Sequence, residues 1–164
     1  MTPGDLVLTR QGLRFRGHTY PCTIGKSGLT SHKTEGDGAT PRGQHCIVGM
    51  LYRPDRTLRP APWATPIRPG DLWSDDVEDT QYNHMVKAPH RFRHEALRRA
   101  DPLYDLVLLT DWNWPNTRPG RGSAIFVHQF RRPGYPTEGC VALSRQHLHR
   151  IAAQIQPGTR LIIR

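Results

Sequence analysis

The chain has 164 residues, including 15 Gly and 15 Pro. That length suits one domain with a sizeable core, and so many turn formers exclude a helical bundle. The formal net charge of +9 rests almost wholly on arginine, since Lys26, Lys33 and Lys87 are the only lysines; the small clusters Arg91-Phe92-Arg93, Arg98-Arg99 and Arg131-Arg132 accompany no nucleic-acid-binding motif, which argues against nucleic acid as the partner.

The N-terminus, Met-Thr-Pro-Gly-Asp, shows no apolar h-region, and every apolar run is far too short to span a bilayer. Short strands are predicted over 5–9, 12–16, 19–24 and 45–52, with a glycine-rich loop from Gly25 to Gly43 that ends in a tight turn at Thr40-Pro41. That loop lacks the G-K-[ST] ending of a phosphate-binding loop, so Lys33, Glu35 and Asp37 read as a brace and not as ligands. The proline-rich stretch 53–69 is expected to be irregular. The connection from Asp71 to Arg99 holds aromatics, acids and histidines, a mixture that suits the wall or lid of a groove; Trp73, Asp75, Tyr82, Asn83 and His94 are its candidate substrate contacts.

His84, His90 and His94 have no recognised metal-ligand spacing and no C-x-x-C pair is present, so neither a metal nor a cofactor is expected. A short helix is predicted over 94–100 and a buried strand over 104–112, after which Asn113 and Arg121 border a loop leading into a strand over 123–130. Tyr104, Asn113, Arg121 and Glu138 join the candidate substrate contacts. Near the C-terminus, Ser144 caps a helix with Leu148, Ile151, Ala152 and Ile155 at helical spacing, Pro157-Gly158 stops it, and a last strand covers 159–163.

The segment Ser123–Leu143 carries the chemistry. Ala124, Phe126, His128 and Phe130 share one face of its strand, and after a Pro/Gly turn Gly139-Cys140 opens another apolar run. A histidine leaving one strand and a cysteine entering the next, with eleven residues between them, can face each other across a hairpin-like return. That arrangement suits a thiol nucleophile and its base, with an imidazolium or backbone amides near Gly139 favouring the anion. The structural alternative is that both are ordinary buried core residues. Thr137, Glu138 and Gly139 are poor strand formers, which sets Cys140 at a strand mouth within reach of a substrate. The three cysteines leave Cys22 and Cys46 to pair or, as we expect, to remain free thiols.

The blocks Pro136-Thr137-Glu138-Gly139-Cys140-Val141-Ala142-Leu143 and Lys33-Thr34-Glu35-Gly36-Asp37-Gly38-Ala39-Thr40-Pro41-Arg42-Gly43, with Ile125-Phe126-Val127-His128, resemble the L,D-transpeptidase (YkuD-like) family. The likeness is to a compact proteobacterial subgroup with P-T-E-G-C at the nucleophile. It implies a mainly β fold, a mixed sheet or sandwich with one or two packed helices, filling residues 1–164 as one catalytic domain whose connection at about 53–100 borders the groove.

By that resemblance Cys140 is the nucleophile, His128 the general base and acid, and the amides around Gly139 and Cys140 the oxyanion site. The partners it implies are peptidoglycan stem peptides as donor and acceptor, with carbapenem-type compounds as inhibitors. The attraction of carboxylate-rich envelope polymers would account for the basic surface. The implied product is a link between two diaminopimelates or, in the subgroup, between L-Ala and diaminopimelate; the implied setting is the periplasm, with the enzyme a monomer. Glu138 stands where the family commonly has His or Arg, and Ala142 where it often has Arg or Asn, so the substrate contacts differ from the usual ones. The same chemistry with water as acceptor makes a carboxypeptidase or amidase, and a non-catalytic envelope-binding module is the reading from another class.

Overall fold

Two tight hairpins begin the fold. Strands β1 (Leu6–Thr9), β2 (Gly12–Phe15) and β3 (His18–Tyr20) pair antiparallel in succession. The second turn is made by Arg16 and Gly17, both at positive φ (47° and 78°), as a two-residue hairpin loop favours. The predicted continuous strand over 19–24 is split at Pro21, which has no N–H for a ladder, and β4 (Cys22–Thr23) starts beyond it. Because β3 forms one end of the main sheet and β4 the other, this single proline joins the two edges. The computed structural model, which describes residues 1–164, is therefore a mixed, nearly closed sheet with one helix.

The glycine-rich loop contains the short parallel pair β5 (Leu29–Thr30) and β6 (Thr40–Pro41), so Thr40-Pro41 is strand where a turn was expected. The ten-residue β7 (Gly43–Tyr52) is the sheet's central strand, with β8 (Thr65–Pro66) alongside part of it. The connection expected to be loop folds into a three-stranded antiparallel sheet of β9 (Asp71–Ser74), β10 (Met85–Lys87) and β11 (His94–Ala96). The predicted helix over 94–100 is thus overturned, 94–96 being strand and 97–100 non-helical: helix formers such as Glu95 and Ala96 are recruited by the free edge of β9, and tertiary pairing overrides local propensity.

Strand β12 (Leu106–Thr110) lies between β7 and β13 (Phe126–Gln129), and β14 (Val141–Leu143) follows. Strands β13 and β14 are parallel, with Val127 opposite Val141 and His128 opposite Ala142. The hairpin-like return is therefore overturned: the chain from Phe130 to Cys140 crosses back before β14 begins. Helix α1 (Arg145–Ala152) is capped as expected, the Ser144 hydroxyl accepting from the His147 N–H at 3.2 Å. The last strand, β15 (Arg160–Ile163), runs parallel to β1 and antiparallel to β7.

Both faces of the central strands are buried, which is why β12 is an uninterrupted apolar run. Leu106, Leu108, Met50 and Val127 face one core with Leu148, Ile151 and Ala152 of α1. The alternating residues Val107, Leu51 and Phe126 face a second core with Trp73, Leu97 and Tyr104, where the small sheet covers the large one. Cys140 belongs to this second core, at its rim.

Candidate active site

A cavity of about 520 Å³ opens beside the second core, and Cys140, Gly139, Glu138 and His128 all line it. His128 faces it because of strand alternation: Phe126 and His128 point to the same side of β13 while Val127 enters the other core. Packing fixes the ring, with Tyr104 edge-on at a centroid separation of 5.3 Å. Its Nδ1 lies 2.6 Å from the Gln129 carbonyl oxygen. A carbonyl only accepts, so Nδ1 carries the proton and Nε2 keeps its lone pair. Burial pushes the imidazole down to about 4, the Gln129 carbonyl opposing this only in part. The ring is neutral at physiological pH.

Cys140 sits where the chain enters β14, 8 % exposed. Its Sγ lies 3.0 Å from the Ala124 carbonyl oxygen, to which the thiol donates, and 3.4 Å from the Phe126 N–H, which donates to it. Burial pushes the thiol up to about 12, the Phe126 N–H being the main counterweight. The resting pair is therefore neutral thiol and neutral imidazole, where an imidazolium beside a thiolate was one expected device. No hydrogen bond joins the two side chains; the thiol proton is held by Ala124.

That acceptor is placed by an unusual backbone. Ala124 has φ +51°, a left-handed conformation that an alanine adopts only when its surroundings dictate it. Its N–H donates to Asn83 Oδ1 at 2.9 Å, which also accepts from Trp73 Nε1 at 3.0 Å. Asn83 Nδ2 donates to the Trp112 and Asn113 carbonyls at 3.1 and 2.7 Å, so one buried amide fastens four segments with every donor and acceptor used. Asn83, Trp73 and Asn113 were candidate substrate contacts; none lines the cavity, and they form the framework behind it.

Gly139 has φ +144°, and a Cβ there would stand 2.9 Å from the Ala39 carbonyl oxygen, so the turn into Cys140 needs glycine twice over. Its N–H is already engaged, donating to Thr137 Oγ1 at 3.1 Å, while the Thr137 hydroxyl donates to the Cys140 carbonyl at 2.6 Å. The Cys140 N–H makes no hydrogen bond within the protein. Of the two amides expected at the oxyanion site, only that of Cys140 is free.

Among the other sequence candidates, Asp75, Tyr104 and Glu138 line the cavity. Asp75 pairs with Arg93 at 3.0 Å, the Tyr104 hydroxyl donates to Glu95 at 2.5 Å, and Glu138 pairs with Lys26 at 2.7 Å. Tyr82 is buried and donates to Glu35; His94 is exposed, its Nδ1 2.7 Å from the Phe92 carbonyl; Arg121 lies over the Trp112 ring. These three lie outside the cavity.

The cavity also takes Arg93, Glu95 and Arg99 from the connection, and Lys33 and Glu35 from the glycine-rich loop. Burial pushes the pKa of the Glu95 carboxyl up, so that it holds its proton more tightly than an exposed one. Of these, Glu95 escaped the contact list because it lies on β11, a strand of three residues too short to show a period, while Lys33 and Glu35 read in the sequence as a brace of the loop. Cys22 and Cys46 are free thiols, as expected, and the Cys22 thiol is pushed up to about 11 by burial.

The L,D-transpeptidase catalytic-domain (YkuD) model matches residues 6–163. No curated protein and no solved structure matches the chain significantly. With nearly its whole length covered by that match, the chain belongs to the L,D-transpeptidase catalytic-domain family, whose members are cysteine-dependent L,D-transpeptidases acting on peptidoglycan stem peptides.

Proposed function

We propose that the protein cross-links peptidoglycan by acyl transfer through Cys140, with His128 as general base and acid. The observation that carries this reading is the shared cavity: both side chains line it, and the Gln129 carbonyl holds His128 with Nε2 as its basic atom. When a donor stem peptide enters, the thiol proton passes from Sγ to Nε2 as Sγ bonds to the carbonyl carbon of an L-residue. The tetrahedral intermediate then collapses, the C–N bond breaks, and the departing D-residue amine takes the proton from His128. An acceptor amine gives a proton to His128, attacks the thioester and releases the sulfur, which is protonated again.

The acceptor we favour is the side-chain amine of diaminopimelate. It gives a link between two diaminopimelates, or between L-Ala and diaminopimelate if the donor carbonyl belongs to the first residue. Water at the same step would give a carboxypeptidase. Enzymes of this family typically work in the cell envelope, and we assign this one to the periplasm; no helix is long and apolar enough to cross a membrane.

The test is mass spectrometry of muropeptides after purified sacculi are incubated with the protein. New dimers are expected with the unaltered protein and none with Cys140→Ala at an unchanged circular dichroism spectrum. Identical products from the two proteins would refute the proposal.

A further inference from the structure

Lys33 is a buried cation that the acyl-transfer scheme leaves without a role. Its side chain is only 3 % exposed, and it lines the cavity with Cys140. An ammonium has three N–H donors. One bonds the Thr34 carbonyl at 3.1 Å and another the Asp37 carboxylate, leaving the third without a protein acceptor. The aliphatic stem is fixed against Gly122, where a Cβ would stand 3.0 Å from Lys33 Cε. Nζ is thereby held 3.6 Å from the point where a Cβ on Gly139 would stand, beside the residue that precedes the nucleophile.

The oxyanion formed on attack by Cys140 carries a fully developed charge, which one donor meets only in part. The Gly139 amide is bound to Thr137 and only the Cys140 amide is free. Resting on the assignment of Cys140 as nucleophile, we propose that Lys33 donates its third N–H to the oxyanion of the tetrahedral intermediate, working with the Cys140 amide. Asp37 is the positioning residue: it orients the ammonium and, through the Thr34 and Ala39 N–H groups that donate to it at 2.9 Å each, ties it to the loop backbone. The wall's other acids, Glu35, Asp75, Glu95 and Glu138, make no ion pair with Lys33, and its other cations are Arg93, Arg99 and Arg131. A cation there also lowers the cost of negative charge on sulfur, so the two effects have to be separated by experiment.

Two reagents separate them. A carbapenem acylates a thiol through a tetrahedral oxyanion. Iodoacetamide alkylates it by displacement at a saturated carbon, forming the S–C bond as iodide leaves, with no oxyanion. Both adducts are read by intact-protein mass spectrometry on the unaltered protein, on Lys33→Met, and on Lys33→Met/Asp37→Asn, in which no carboxylate is left unpaired. The expected result is a loss of about a hundredfold or more in the rate of carbapenem acylation, with iodoacetamide alkylation changed far less, in every variant whose melting temperature shows a folded protein. Equal losses with both reagents, or no loss with either, would overturn the assignment. A protein that reacts with iodoacetamide at Cys140 but takes no carbapenem even unaltered would overturn the parent reading as well, a pattern distinct from lost selectivity.

Discussion

Alkylation of Cys140 should be slow at neutral pH and should accelerate about tenfold with each pH unit up to about pH 10. With burial holding the thiol at about 12, the thiolate fraction at pH 7 is about 10⁻⁵, and ionising the thiol there costs about 7 kcal/mol. Transfer to His128, held at about 4, spans a still larger gap, about 11 kcal/mol before the attraction between the two charges is counted. No thiolate–imidazolium pair is therefore populated before substrate enters. The assay is the rate of iodoacetamide labelling between pH 6 and pH 10, read on the peptide that carries Cys140 so that Cys22 and Cys46 do not contribute. A rate that is already high at pH 6 and flat to pH 9 would refute the reasoning, because it would require a stable ion pair. The argument extends to catalysis: proton transfer from Sγ to Nε2 has to accompany carbon–sulfur bond formation, when the developing charge moves onto an oxygen that has donors waiting.

Stability should fall as the pH drops from about 6.5 to 4. His128 is depressed to about 4 by burial, so across that window the unfolded chain binds a proton that the folded chain refuses, and the loss reaches about 3 kcal/mol below it. His45 and His149, also lowered by burial, act in the same direction. Urea unfolding at pH 7 and pH 4 should show this difference shrinking in His128→Asn, and an unaltered acid dependence would count against it. At Asn83, substitution by Ala removes four hydrogen bonds and leaves the buried Ala124 N–H without an acceptor; a loss of about 3 kcal/mol is expected in urea unfolding at pH 7, and a loss under 1 kcal/mol would mean that other contacts hold Ala124 in place.

The strands near 5–9, 12–16 and 45–52, the C-terminal helix and the mainly β architecture were legible because each rests on a local signal: alternation, a two-residue turn or a cap. What escaped was set by distant partners. The eleven residues between Gln129 and Val141 suit a hairpin loop, yet β14 is held between β13 and β4, and pairing with Thr23 and Cys22 fixes its direction. Likewise β10 and β11 span three residues each, too few for a period to show, and only their common partner β9 makes them strands.

The site divides along the same line. Cys140, His128 and Gly139 stood out by residue type at the ends of readable strands, and the cavity contains all three. Asn83 stood out for its chemistry, and its chemistry is used, but on the backbone at Ala124 and not on a ligand. Protonation was beyond reach of the sequence altogether. A cysteine near a histidine reads as an ion pair when the two are considered alone; here Tyr104 closes over the imidazole and the second core surrounds the sulfur. That burial opposes charge on both groups, one resisting a proton and the other resisting its loss. Nearby Lys33, in the same wall, is paired with Asp37, which lies four residues along and travels with it on the same loop. A pair brought in together by local sequence can keep its charges, whereas groups assembled from separate strands are left neutral until a substrate supplies the compensating bonds.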